Sequence, residues 1–184
     1  EEELFSNFEM KMVNIDTGEF TSEINAEEFN PKDARDNPDM LVDIPAASDV
    51  ADMKQRLKYA RVFVDTTNGQ VVLPINGPGM WGPMYAYIGV QDDGTTVNGL
   101  KFYQQSETPG LGDKIAKPSF SNQWVGKKLY NDSGSLALEI VKNGKYDPNA
   151  DDAVHTIDGL AGATVTGKKA QAIVEYWFSH HGYG

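Results

Sequence analysis

Tyr59-Ala60-Arg61-Val62-Phe63-Val64, then Asn68-Gly69, then Gln70-Val71-Val72-Leu73-Pro74-Ile75: two β-branched and aromatic runs meet across an Asn-Gly step. Asn and Gly tolerate the positive φ of a tight hairpin turn, so this stretch reads as two antiparallel strands. A second pair follows, with residues 84–91 and 96–105 flanking Asp92-Asp93-Gly94. Residues 136–142 predict another strand, and Met10-Lys11-Met12-Val13-Asn14-Ile15 alternates weakly like a short one. Helical spacing falls outside these hairpins. Ser48 or Asp49 is positioned to cap a helix to about Tyr59 that buries Val50, Met53 and Leu57, and residues 119–129 predict a short helix. The last helix places Ala170, Ile173, Val174, Trp177 and Phe178 at i, i+3, i+4, i+7 and i+8, with Gly182 as its stop. Asn37-Pro38 and Ile44-Pro45 interrupt regular structure before the hairpins. Strands in hairpins with helices on the flanks predict an α+β fold around an antiparallel sheet, with a C-terminal helix after a threonine loop, and not a parallel wound sheet.

At 184 residues and 40% hydrophobic content, the chain is long and apolar enough for one domain with a real core. The expected organisation is an acidic segment over residues 1–50 packed on a domain over residues 51–184. The net charge of −11 lies entirely in the first 50 residues, which hold 14 acidic and 3 basic side chains; the remainder holds 13 of each. That segment reads as a solvated, loop-rich face or, more sharply, as a docking surface for a basic partner. Nucleic-acid binding is disfavoured, because phosphate contacts need basic patches. The absence of cysteine excludes disulfides, thiolate metal sites and cysteine catalysis. His155, His180 and His181 lack metal-type partners at helical spacing, and His180-His181 falls at the expected end of the last helix. No run approaches the roughly 20 apolar residues of a membrane span. No signal peptide is visible, and the chain opens on Glu1-Glu2-Glu3 without a starting Met, as a processed or excised product would.

Three glycine-marked loops carry the candidate chemistry. One is Pro74-Ile75-Asn76-Gly77-Pro78-Gly79-Met80-Trp81-Gly82, the second Ser106-Glu107-Thr108-Pro109-Gly110-Leu111-Gly112. The third is Asp158-Gly159-Leu160-Ala161-Gly162-Ala163-Thr164-Val165-Thr166-Gly167, which puts a hydroxyl just before the last helix. The start of a helix attracts phosphate because its first N–H groups lack partners. Thr164 there is placed to cap the helix, to bind a phosphate or to be esterified by one. A flavin needs such a mixed site: apolar surfaces for its ring, hydrogen-bond partners for the ring edge, and donors or a covalent link for the phosphate. Met80, Trp81 and Leu111 are candidates for the ring faces; Glu107, Thr108 and loop amides for the edge. Trp81 as an ordinary core aromatic, and all three loops as mere turns, are the plainer readings. Lys168 and Lys169 are assigned to the first turn of the helix, where a nearby phosphate would offset their unfavourable position.

ETPGLG at 107–112 and GATVT at 162–166 resemble the FMN-binding domain shared by the C subunits of sodium-translocating NADH:quinone reductases and the G subunits of Rnf electron-transport complexes. PINGPGMWGPMYAYIGVQDDGTTVNGLKFYQQSETPGLG and QWVGKKL at 123–129 look like the quinone reductase form, whereas GDKI after ETPGL leans toward the Rnf one. The resemblance runs from about Val13 to the end of the chain. It implies FMN joined by a phosphoester to Thr164, with Thr166 the competing hydroxyl, and a separate flavin transferase as the enzyme that attaches it. Ala161 stands where the family has Ser or Thr before Gly-Ala-Thr. Asp158 is similar to the family's aspartate in the transferase recognition motif. The remaining candidate cofactor contacts are Gly79, Gly110, Gly112, Lys142, Gly162 and Ala163.

By the same resemblance, the chain is expected to be the electron-carrying subunit of a membrane complex that pumps sodium. Its partners would be the complex's other subunits and the flavin transferase. It would lie on the periplasmic side of a bacterial inner membrane, held by an N-terminal helix that is not in this chain. Glu107 is expected to orient the site and not to move a substrate proton. The Rnf counterpart and a non-catalytic extracellular binding module are the alternatives.

Overall fold

The structure is a computed structural model and describes residues 7–184; Glu1, Glu2 and Glu3 of the acidic run lie outside the described residues. Strands β1 (Phe8–Asn14), β2 (Glu19–Thr21), β5 (Tyr59–Asp65), β6 (Val71–Pro78), β7 (Pro83–Val90) and β8 (Val97–Gln104) form a six-stranded sheet in the order β2-β1-β5-β6-β7-β8. Every neighbouring pair in it is antiparallel. The weakly alternating segment near the N-terminus is therefore a member of the main sheet, pairing along β5 from Phe8↔Asp65 to Asn14↔Tyr59. Two short pairs stand apart: β3 (Leu41–Asp43) with β4 (Gln55–Leu57), and β9 (Glu139–Val141) with β10 (Thr156–Asp158). The second of these is parallel, an exception to the hairpin rule of the main sheet.

Alternation along the strands builds the core. Ile75, Met84, Ala86, Ile88, Leu100 and Phe102 bury one sheet face in a core shared with helix α3 (Thr164–Trp177), whose Ala170, Ile173, Val174 and Trp177 face inward. Full burial of each large apolar side chain contributes roughly 1.5–3 kcal/mol. Opposite-facing Met12 packs with Phe29 and with Ala34 of helix α1 (Pro31–Arg35) in a second, smaller cluster. Near the glycine loop, Gly77 lies so close to Ile173 that a Cβ would stand 2.6 Å from its Cγ1. Helix and sheet meet there without an intervening side chain. None of the helices among the described residues is long and apolar enough to cross a membrane.

The sheet is not continuous. β6 pairs with β7 from Val71↔Val90 to Pro78↔Pro83, but with β5 only at Phe63↔Val72 and Val64↔Val71. Past that point side chains from the C-terminal end of the molecule take carbonyls of β6. Tyr183 Oη donates to Pro74 O at 2.7 Å, and Trp177 Nε1 to Asn76 O at 2.7 Å.

Several expected elements differ. Residues 48–59 are not helical. The Asp49 carboxylate accepts the backbone N–H groups of Met53 and Lys54 at 2.8 Å, a local alternative to helical bonding, and Asp52 and Lys54 have φ of 59° and 68°. Val50 is consequently exposed, and Gln55–Leu57 becomes a strand. The helix expected over 119–129 shrinks to α2 (Pro118–Ser121) and a single 3-10 turn ending at Trp124. Gly126 then has φ 80°, and the following residues run along 95–97, with Leu129 N–H donating to Thr95 O. The strand over 136–142 is confined to β9, because the N–H groups of Ala137 and Leu138 both wrap onto Leu129 O. The last helix ends at Trp177, before Gly182, so His180 and His181 lie beyond it. Gly182 instead permits the chain to fold back over the helix end, where a Cβ would collide with Trp177 O.

Candidate functional site

The three glycine-marked loops meet at one carboxylate. Glu107, only 4% exposed, accepts the Trp81 backbone N–H on Oε1 at 3.1 Å and the Thr166 hydroxyl on Oε2. Its own N–H donates to Gln105 Oε1 at 2.6 Å. Trp81 belongs to the β6–β7 turn, Glu107 to the loop after β8, and Thr166 to the first turn of α3, so a single side chain ties together segments distant in sequence. Two glycines make room for it. A Cβ on Gly79 would stand 2.5 Å from Glu107 Oε1, and one on Gly112 2.8 Å from Glu107 Cβ and 2.6 Å from Thr166 Oγ1.

The second and third loops also touch at their outer ends. Lys114 Nζ reaches Ala161 O at 3.5 Å, and a Cβ on Gly162 would lie 3.1 Å from Leu111 Cδ2. Thr108 turns its own loop by accepting the N–H of Leu111 on its carbonyl at 3.1 Å, and Gly110 sits in that turn. Asp158 shapes the base of the threonine loop, accepting from Gly144 N at 2.7 Å and from Asn143 Nδ2 at 3.2 Å. Gln123 brackets its backbone, accepting from Asp158 N at 2.9 Å and donating to Asp158 O at 3.4 Å. Lys142, by contrast, is exposed, and its ammonium makes no hydrogen bond or ion pair among the described residues.

Thr164 is the first residue of α3, and the preceding Ala163 makes no side-chain cap. The first-turn amides of Thr164, Val165 and Thr166 are thus left without a capping side chain. The two candidate hydroxyls differ sharply. Thr164 is exposed, whereas Thr166 is 2% exposed with its hydroxyl committed to Glu107. Lys168 and Lys169 fall in the second turn, not the first, so the dipole penalty expected for them is small. Trp81 is not a core aromatic: it is 64% exposed, and Met80, Leu111 and Val165 on the converging loops are exposed too.

Large apolar side chains that stay out of the core, next to uncapped amides and an open hydroxyl, fit a ligand with a flat apolar body and an anionic end. Four supporting residues escaped sequence reasoning: Gln105, Lys114, Gln123 and Asn143. Gln105, Lys114 and Gln123 lie within quoted motifs and Asn143 just past the expected 136–142 strand, and only the folded chain shows the bonds they make.

A match to the FMN-binding domain family covers residues 79–179. Among the C subunits of the Na(+)-translocating NADH-quinone reductase, that of Pseudomonas aeruginosa is 36% identical over 181 residues, covering 97% of this chain and 69% of that protein. That of Neisseria meningitidis serogroup B is 37% identical over 179 residues, covering 95% of this chain and 67% of that one. The crystal structure of Shewanella oneidensis NqrC superposes with a TM-score of 0.88 at 33% identity, over 99% of this chain and 83% of that chain.

Proposed function

The chain belongs to the FMN-binding domain family, among the C subunits of the Na(+)-translocating NADH-quinone reductase, and from that premise we propose that it is an electron-carrying flavoprotein subunit with FMN attached through a phosphoester to Thr164. The observation that carries the choice of residue is the contrast between two hydroxyls two positions apart. Thr166 donates inward to a buried carboxylate, while Thr164 is exposed at the uncapped start of α3. An ester at Thr164 would put phosphate oxygens beside the first-turn amides, which favour negative charge.

The chain's own residues then divide the work. The exposed Trp81, Met80 and Leu111 would pack on the flat ring and exclude water from it. Glu107 acts one layer below, holding the Trp81 backbone and the start of α3 in a fixed relation, and it donates no proton to the ring. Asp158 and Gln123 keep the threonine loop in the shape that presents Thr164. FMN, when bound, supplies a centre that accepts and releases one or two electrons. Fixing it through its phosphate leaves the ring unmodified and prevents loss during turnover. The partners proposed are the other subunits of the reductase complex and a flavin transferase; placement on the periplasmic side of the membrane rests on family resemblance.

Co-expression with a flavin transferase, followed by intact mass and peptide mapping, tests the reading. The expected product carries one FMN on the peptide containing Thr164, yellow colour that survives denaturation, and complete loss of both in Thr164→Val with the fold retained. A bare Thr164, or label on Thr166, overturns it.

A further inference from the structure

Where β5 and β6 part, a cavity of ≈ 290 Å³ opens through the gap in the sheet. Arg35 of α1, Arg56 and Arg61 line it, and among the described residues no Asp or Glu does. In a chain with a net charge of −11, three guanidinium groups around one cavity, with no acidic side chain in its wall among the described residues, is an unusual concentration. Arg56 is accounted for structurally. It pairs with Asp16, donates to Tyr176 Oη at 3.0 Å and to Leu57 O at 3.0 Å, and so ties the N-terminal segment to the domain.

Arg61 is accounted for only in part, and Arg35 is not. Arg61 spends one terminal nitrogen on Ala26 O and Phe29 O, at 3.2 and 3.1 Å, and its remaining donors have no protein partner among the described residues. Arg35 makes no ion pair or hydrogen bond among those residues; its guanidinium lies 4.7 Å from the centre of the Tyr85 ring. Tyr85, Tyr87 and Tyr103 form an aromatic group on the same wall, with Tyr87 and Tyr103 stacked at 5.1 Å and 23°. Fixing the N-terminal segment explains neither Arg35 nor these rings.

We propose that this cavity is a second ligand site, separate from the threonine loop, for a small planar organic anion: an aromatic ring bearing a carboxylate. The guanidinium groups of Arg35 and Arg61 supply forked, charged donors that match a carboxylate, and the tyrosine faces supply a flat apolar wall. A cation is disfavoured because the lining has no acidic group among the described residues. An inorganic anion alone would leave the aromatic wall unused. The volume suits one ring system and not a nucleotide.

The test is calorimetric titration of the full chain with 4-hydroxybenzoate, set against its neutral analogue 4-hydroxybenzamide, with NMR of the tyrosine rings to locate the contact. Saturable binding of the acid is expected, with the amide weaker by about tenfold or more, as loss of a charge-assisted hydrogen bond implies. Arg35→Gln breaks no hydrogen bond or ion pair of the fold, only the guanidinium's contact with the Tyr85 ring, and should weaken the acid about tenfold, toward the affinity of the amide. Tyr103→Leu should weaken acid and amide together, because it removes ring surface and no charge. Thr164→Val should bind the acid as the unmodified chain does. No saturable binding at millimolar acid overturns the proposal. So do equal affinity for acid and amide, an unchanged affinity in Arg35→Gln, and shifts confined to resonances outside Tyr85, Tyr87 and Tyr103.

Discussion

The two hairpin turns and the three converging loops are all marked by glycine, but Gly94 in a turn and Gly79, Gly112 and Gly159 in the loops stand there for opposite physical reasons. At the turn between β7 and β8, Gly94 has φ 71° and no atom within 4 Å of where a Cβ would lie. The backbone conformation demands it, and the turn is completed locally, with Asp93 accepting the N–H groups of Thr95 and Thr96 at 2.9 and 2.8 Å. In the loops, Gly79, Gly112 and Gly159 lie outside the left-handed region, yet a Cβ on each would strike a neighbour. There glycine serves close approach between segments remote in sequence. Gly94 thus reports on its own turn, whereas Gly79, Gly112 and Gly159 report on segments far away along the chain.

This difference is open to direct attack. Gly159→Ala should have the largest effect, because the added Cβ meets the Val141 carbonyl, backbone that cannot swing aside. A loss of roughly 3 kcal/mol by denaturant titration, the upper end for overpacking, is expected together with poor flavin attachment. Glu107→Ala comes next. It leaves the Trp81 N–H and the Thr166 hydroxyl without their partner, and should cost about 2 kcal/mol in the same assay. It should also loosen the Trp81 turn, read as faster amide exchange there. Gly94→Ala should cost only about 1 kcal/mol and leave flavin attachment intact, since the strain stays within one turn. Should Gly94→Ala cost as much as Gly159→Ala, the distinction fails.

The smallest expected effect is a pH dependence. The Thr96 hydroxyl, together with the Thr95 and Thr96 amides, holds the Asp93 carboxyl below the ordinary carboxylate range. A depressed folded-state value means that the unfolded chain binds the proton first. The stabilisation is therefore present at neutral pH and fades as the pH falls below about 4. Asp93→Asn should flatten that part of a Tm-against-pH curve and leave the flavin site unaffected.

Much of the scaffold was legible because its signals are local. Asn68-Gly69 and Asp92-Asp93-Gly94 specify hairpins through the conformations that their own residues prefer, and the last helix announces its buried face through a 3.6-residue period. Residues 48–59 misled because Val50, Met53 and Leu57 share helical spacing by coincidence, while the Asp49 carboxylate captures the amides a helix would have used. The parallel pairing of β9 with β10 was hidden as well. Gln171 of α3 holds the β9 segment from outside that pairing, donating to Leu138 O at 3.0 Å and accepting from Ile140 N at 2.7 Å, contacts that no local pattern announces. The loop motifs pointed to the site but not to its construction. ETPGLG places Glu107 in a candidate flavin loop; that its two oxygens serve Trp81 and Thr166 emerges only when three loops are folded together.

The amino-acid sequence by itself determined the hairpins, the amphipathic C-terminal helix, the location of the negative charge and the family, because each is written in residues close along the chain or in contiguous motifs. Tertiary structure alone decided which threonine is open and which is locked onto a buried carboxylate. It also decided that β5 and β6 separate to leave an arginine-lined cavity. Exposure and strand separation are set by what packs against a residue from elsewhere in the chain, and Thr164 and Thr166 carry the same side chain until Glu107 is brought beneath one of them.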